Sequence, residues 1–420
     1  MKSIKTINVD YIARVEGQGA LAIKLDPDAR DVKFKIFEPP RFFESFLVGR
    51  KYDEVHELTS RICGICPVAH QVTALRAVEN AIGVEVSQQT KDLRKILALS
   101  AFISSHVLSL YFLTTPDYFN HESVISLGQE HPDLLKIGLK LKKLGNDLGD
   151  VIGGRAIHPV YAVVNGFTHI PPRKQLDSIL KRLIDATNDA LETVRFFDSL
   201  KYPALDSPSE QIAISDDDQY AVNEGLMKST KGLVAEEKDY RKFIEEKQVL
   251  YSHTKASTVK GRGSFLVGPL ARVNINFKQL SENARAVAKE IGFNPPQLNN
   301  PFDLIITRAI EVVHAIDECI ELIGRIPLKK EDTSHSFQPG EGFAITEAPR
   351  GMLYHSYKIN EDGLIESADI VPPTAHNAKN IENDLKQLVE TFNDLPIDDL
   401  TLKCEMLVRA YDPCISCSVH

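Results

Sequence analysis

Two Cys-x-x-Cys pairs stand at opposite ends of the chain, Cys63-Gly64-Ile65-Cys66 and Cys414-Ile415-Ser416-Cys417. Two thiolates at this spacing converge on one metal from a tight turn or a helix start. Zinc ribbons separate their pairs by roughly 15 to 20 residues, whereas nearly the whole polypeptide lies between these two. If the four sulfurs share a site, the fold must close head to tail around a core. A site assembled in this way can be buried, which excludes water and tunes potential and proton affinity. Soft thiolates select copper(I), zinc, nickel or iron over magnesium or calcium. On spacing alone, a redox metal, a structural zinc and a dithiol redox site all remain open.

A chain of 420 residues is long enough for two or three packed lobes around such a site. Its formal net charge of -9, with no dense Lys/Arg run, excludes nucleic acid as a partner, because phosphate binding needs a basic face. The N-terminal MKSIKTINVDYIARVEG has no hydrophobic core segment and no small-residue cleavage site, so a cytoplasmic location is expected. Without a secretion signal, the six cysteines (Cys63, Cys66, Cys319, Cys404, Cys414, Cys417) do not read as a disulfide framework. Cys319, among Val313, Ala315, Ile316 and Ile320, and Cys404, among Leu402, Met406 and Leu407, are expected to be packed core thiols. Ile96 to Pro116 carries no formal charge over about the length that spans a bilayer. It contains Ser100, Ser104, Ser105, His106 and Ser109 and has no second segment like it, so it reads as a buried helix.

The hydrophobic pattern predicts a mainly α protein, a large helical core with small flanking β-sheets near the N-terminus and at about 343–370. Alternation through Leu21, Ile23 and Leu25, an Asp26-Pro27-Asp28 turn, then Val32, Phe34 and Ile36 reads as a hairpin inside a β-rich segment, 1–52. A helical core, 53–202, carries the first Cys pair, with helices through about 53–113, from Pro132 to Gly153-Gly154, and after Pro172 towards Phe197. A polar stretch, 203–263, with Asp216-Asp217-Asp218 and Glu236-Glu237-Lys238, reads as a peripheral α/β excursion. The core resumes over 264–420, with helices at about 277–291 and 304–325, strands at Phe343–Glu347, Gly351–Ile359 and through Ile370, and helices at about 379–394 and 397–410 before the second Cys pair.

The residues around the pairs narrow the chemistry. Arg61-Ile62-Cys63-Gly64-Ile65-Cys66-Pro67-Val68-Ala69-His70 and Asp412-Pro413-Cys414-Ile415-Ser416-Cys417-Ser418-Val419-His420 resemble the two signature segments of nickel-iron hydrogenase large subunits, RxCGxCxxxH and DPCxxCxxH. Arg14-Val15-Glu16-Gly17, Pro40-Arg41-Phe42-Phe43-Glu44, Gly154-Arg155-Ala156-Ile157-His158-Pro159 and Glu347-Ala348-Pro349-Arg350-Gly351 agree with the same family, so the resemblance spans essentially the whole chain.

The resemblance implies a nickel-iron centre with carbonyl and cyanide on iron, Cys63 and Cys414 being terminal nickel ligands and Cys66 and Cys417 bridging ones. A terminal thiolate can then accept the proton when H2 is split heterolytically. Glu16 matches the glutamate that relays this proton outward, a role that burial favours by raising a carboxylate's proton affinity. Arg350 matches the arginine over the open face of the metals, with Asp412 and Asp117 as the acids that hold it, and His70 matches a donor to a bridging thiolate. Glu44 and His420 match ligands of a magnesium ion, or another divalent ion, near the C-terminus. The family's serine or threonine that hydrogen-bonds cyanide is replaced by Pro373, within Val371-Pro372-Pro373-Thr374, which shifts that contact to backbone NH groups, Arg350 or Thr374.

By the same resemblance the chain is the catalytic subunit of a hydrogenase, closest to the cytoplasmic bidirectional, sulfhydrogenase alpha type, and acts on H2 and protons. An iron-sulfur small subunit would take the electrons onward to NAD(P), F420 or another soluble acceptor through further, diaphorase-like or other, subunits. Ending at His420 matches a form already processed by a maturation protease and nickel-insertion proteins; a gene that ends here would need no such cleavage. Two alternatives stand beside this reading: the catalytic subunit of a membrane-bound energy-converting hydrogenase, and a zinc-stapled relative without catalysis.

Overall fold

The computed structural model describes residues 5–25, 30–296 and 298–419. Seven long helices, numbered here in chain order, make the core: α1 (Pro67–Ile82), α2 (Gln88–Val107), α3 (Pro132–Gly153), α4 (Arg173–Asp198), α5 (Asp303–Arg325), α6 (Pro373–Thr391) and α7 (Ile397–Tyr411). Helices α2 and α4 each pack against both α3 and α5. The uncharged stretch that is long enough to span a bilayer lies in the helical run Gln88–Tyr118, whose most apolar window is 78% buried inside the protein, as a core helix requires. Ser87 starts α2 by accepting the amide of Thr90 at 3.0 Å, and Gly83, at φ +71°, ends α1. Past Val107 the helix widens into a π-helical turn, Leu108–Thr114, and then a single α-turn, Thr115–Tyr118.

Small sheets flank this core. Strands β1 (Lys5–Val9), β2 (Gly19–Leu25) and β3 (Arg30–Ile36) form an antiparallel sheet in sequential order, with Leu21 opposite Phe34 and Ile23 opposite Val32. The hairpin alternation is present; the Asp26-Pro27-Asp28 turn lies outside the described residues. The stretch at 203–263 is strand-rich, but its first strand, β4 (Glu210–Ser215), is buried at every residue and pairs in parallel with Phe265–Leu266. Its polar residues Glu210 and Gln211 are buried with it, and Ile212, Ile214, Met227 and Tyr240 pack in a hydrophobic cluster separate from the main core.

Strands β5 (Gly340–Ala348), β6 (Gly351–Ile359) and β7 (Ile365–Val371) form a second antiparallel sheet, on which α1 packs. Gly342 permits that packing: a Cβ there would lie 2.0 Å from the carbonyl oxygen of Ala77. Helix α6 begins at Pro373, earlier than the apolar pattern predicts, because a proline at the first helical position loses no hydrogen bond. The turn between β5 and β6 delivers Arg350, α1 starts immediately after Cys66, and α7 ends immediately before the second Cys pair.

Candidate metal centre

The first pair lies in the turn between the short helix Val55–Ser60 and α1. The amides of Ile65 and Cys66 both point at Cys63 Sγ, at 3.2 Å each, so the turn presents that sulfur to two donors at a helix N-terminus. The second pair follows Asp412, whose φ of +53° turns the chain out of α7 and into the short helix Ile415–Ser418.

The two pairs meet. Cys63 Sγ is 3.2 Å from Cys414 Sγ and Cys66 Sγ is 3.4 Å from Cys417 Sγ, each joining residues 351 apart in sequence, and within the second pair Cys414 Sγ is 3.0 Å from Cys417 Sγ. All four are buried thiols outside any disulfide, and their sulfurs lie within 4.8 Å of one another. Crowding splits their proton affinities. The thiols of Cys414, Cys417 and Cys66 hydrogen-bond Cys63 and hold it well below the usual thiol range. Supporting those bonds pushes Cys414 well above it, and burial does the same to Cys417. Unaided, the group holds one thiolate easily and resists further ionisation. A soft cation removes that resistance, so the donor set fits a bound transition metal.

Arg350 faces the sulfurs. Its Nε donates to the Asp412 carbonyl at 2.7 Å, Nη2 to Asp412 Oδ1 at 2.9 Å, and Nη1 to Ser105 Oγ at 3.0 Å. Burial works against its charge, but Asp412 and then Cys414, Cys66 and Cys63 outweigh that and hold the guanidinium above the ordinary arginine range. Asp117 is not among the partners of Arg350. Both its oxygens are taken by Arg409, at 2.7 and 2.9 Å, and Oδ1 also by Arg14. The single turn after the π-helical segment aims Asp117 at α7 and the N-terminal loop, and Ser105, three turns earlier, meets Arg350 instead. Arg308 is the second cation near Asp412, its Nε 3.9 Å from Oδ2.

Glu16 lies against the second pair. Its carbonyl accepts the Ile415 amide at 3.1 Å, its backbone forms a parallel bridge with Cys414, and its carboxylate receives the Ser416 amide at 3.0 Å and the Ser416 hydroxyl. It is half-buried, so it stands between the sulfurs and the exterior rather than inside a desolvated pocket. Arg41 clamps the two ends together: one guanidinium nitrogen donates to the carbonyls of Ile62, at 2.6 Å, and Ser416, and its amide donates to Val419 at 2.9 Å.

Thr374 Oγ1 accepts the Cys414 amide at 2.9 Å, which leaves its own proton to donate. His70 is fully buried on α1, with Nδ1 3.2 Å from His355 Nε2, and His355 Nδ1 lies 2.6 Å from the Tyr357 hydroxyl. Glu44 Oε1 accepts the Ile370 amide at 2.9 Å; its expected partner His420 lies outside the described residues. Cys319 and Cys404 are packed thiols away from the centre, raised by burial, Cys404 to about 12.

Behind Arg350 lies a second buried assembly. Arg272 donates to Glu311 through Nε and Nη2 at 2.6 and 2.7 Å, to Glu347 at 2.9 Å, and to the carbonyls of Ala348 and Pro349 at 3.0 Å each. Tyr220 donates to Glu311 at 2.6 Å, and His106 Nε2 lies 2.8 Å from it. This assembly fixes the backbone that leads into Arg350.

A family model described as nickel-dependent hydrogenase matches residues 41–136 and 197–420. The chain belongs to this family. The alpha chain of sulfhydrogenase 1 of Pyrococcus furiosus is 37% identical over 99% of this chain and 97% of its own length. The alpha chain of sulfhydrogenase 2 of the same organism is 32% identical over 99% and 98% respectively. An NAD+-reducing [NiFe]-hydrogenase, crystallised in its H2-reduced state, has the same fold, with a TM-score of 0.88 at 24% identity over 99% of both chains. The protein is the catalytic component of a hydrogenase, and its four converging cysteines are the ligand set for a nickel-iron centre.

Sequence reasoning located the four sulfurs, Arg350 and Asp412, and missed Ser105, Arg308, Ser416, His355 and Tyr357. Ser416 falls at an unspecified position of the second Cys-x-x-Cys segment, and no motif marks the other four. Arg41 sits inside the Pro40–Glu44 segment that resembles the family, which was a usable signal.

Proposed function

We propose that this hydrogenase chain interconverts H2 with two protons and two electrons, and passes the electrons to an iron-sulfur small subunit docked beside the centre. Further electron-transfer subunits, diaphorase-like or other, then carry them to NAD(P), F420 or another soluble acceptor in the cytoplasm. The two sulfhydrogenase relatives, each named as the alpha member of its enzyme, support a multi-subunit assembly. The cysteines outside the centre, Cys319 and Cys404, are packed in the core and offer no second cluster for electron relay.

Cys63, Cys66, Cys414 and Cys417 would hold a nickel-iron pair with carbonyl and cyanide on iron, the first sulfur of each Cys pair as a terminal donor and the second as a shared one. The metals would supply the redox change and a face at which hydrogen is polarised. The Cys414 sulfur takes the proton released on heterolysis, and Glu16, bridged to its backbone and oriented by Ser416, moves it outward. Arg350, immobilised by Asp412 and Ser105, presents a fixed positive charge to that face without reorganising. The Thr374 proton would be available to cyanide, His70 would stabilise negative sulfur, and Glu44 and His420 would be the ligands of a magnesium-like ion.

The observation that carries this reading is the meeting of four sulfurs, from residues 351 apart, beneath the Arg350–Asp412 pair. Infrared spectroscopy of the purified enzyme tests it, because carbonyl and cyanide bands arise from no ordinary protein group. Bands accompanied by nickel and iron are expected; zinc without such bands would replace this reading with a stapled scaffold.

A further inference from the structure

Among the described residues, a second group of metal-ligating side chains converges away from the cysteines: His121, Glu130 and His131. Their donor atoms lie within 4.8 Å of one another, on the two sides of the short helix Val124–Glu130 that leads into α3. We infer that these three residues form a site for a divalent transition ion of the zinc or nickel class.

The backbone holds both histidines in place. The His121 amide donates to the Pro116 carbonyl at 2.9 Å, and the His131 amide to the Leu127 carbonyl at 2.8 Å. The rings are also held, His131 edge-on to Phe119 with centroids 4.7 Å apart, and His121 with only 12% of its side chain exposed. Glu130, 68% exposed, closes the group from the solvent side.

The spacing suits an ion better than a hydrogen bond. His121 Nε2 and Glu130 Oε2 are 3.6 Å apart, too long for a hydrogen bond. Two ligands on a tetrahedral zinc, each about 2.0 to 2.1 Å from the metal, stand roughly 3.3 Å apart. Small rotations of the Glu130 side chain close that difference with the backbone unmoved. Two imidazoles and one carboxylate form a borderline donor set, which favours zinc or nickel over magnesium or calcium, and the fourth position stays open to water. Bound there, the ion would staple the helix Val124–Glu130 at both ends and so restrict the segment between the two histidines. The site shares no residue with the cysteine centre, so its fate is independent of the hydrogenase chemistry.

The test is a calorimetric titration of the holoenzyme with ZnSO4 after loosely held metal has been removed by dialysis, set beside the double variant His121→Ala/His131→Ala. Wild type should take up one equivalent more than the double variant, and Glu130→Gln should weaken that extra site by about tenfold. Zinc should also slow amide exchange across residues 121–131 in wild type only. Nickel and iron content should be the same in all three proteins, which shows the variants to be folded. Equal zinc uptake by wild type and double variant, or no uptake by wild type, would overturn the assignment.

Discussion

The Arg272 assembly and the four-sulfur cluster are both sealed from water, within one helical core, yet they meet the cost of buried charge in opposite ways. Around Arg272 the chain supplies both signs: Glu311 takes two of its nitrogens, Glu347 a third, and Tyr220 and His106 occupy the remaining lone pairs of Glu311. Around Cys63 the chain supplies four thiols that cannot ionise together and, facing them, the charge of Arg350, itself already shared with Asp412. The first assembly neutralises its charges within the polypeptide, Arg272 pairing with Glu311 while burial lifts Glu347 to about 7; the second is neutralised only with added positive charge. A buried polar cluster that balances itself reads as scaffold, and one that does not reads as a receptor for an ion.

The largest way to break this contrast is to remove a sulfur. Cys414→Ala should abolish H2/D2 exchange and lower nickel content while the fold survives; undiminished exchange would refute the ligand assignment. Next is Arg272→Met, which strands two buried carboxyl groups and should destabilise the protein by about 3 to 5 kcal/mol. Thermal unfolding checks it, and an unchanged Tm would show that the assembly is not scaffold.

Acid sharpens the same point at His106. Burial lowers its pKa from 6.5 to about 4, Arg272 and Arg308 oppose its protonation, and Glu311 only partly offsets these effects. A histidine depressed in the folded state binds fewer protons there than when unfolded, so its contribution is present above pH 6.5 and is lost as pH falls towards 4. That loss amounts to ~3 kcal/mol and should appear as a falling Tm over this window, with a shallower fall in His106→Gln. The smallest effect is kinetic. Glu16→Gln should leave metal content intact and slow proton exchange by about a hundredfold; a fully active variant would remove Glu16 from the relay.

The centre was largely legible in the sequence because its parts are chemically rare and locally spaced: two Cys-x-x-Cys turns, an arginine between a proline and a glycine, and an aspartate that can adopt a left-handed turn. The helices were legible where apolar periodicity ran unbroken, as in α3 and α4. Asp117 was misassigned because a π-helical turn changes which side of a helix each later residue faces, and no residue pattern announces it. Ser105 and Ser416 escaped because a serine's partner is fixed by the tertiary fold alone. Strand β4 was not separately legible because the charged runs Asp216-Asp217-Asp218 and Glu236-Glu237-Lys238 dominate the composition of 203–263, whereas Glu210 is buried beside Arg262 and Ser229.

The clamp formed by Arg41 ties the residue before Cys63 to the residue before Cys417, across nearly the full length of the polypeptide. Contacts between segments so far apart in sequence carry a large loop-closure cost and form slowly. A nascent chain leaving the ribosome therefore has half a binding site until its second Cys pair emerges. Metal content in a purified sample is then a reporter of finished topology, and sensitive to misfolding anywhere between the two ends.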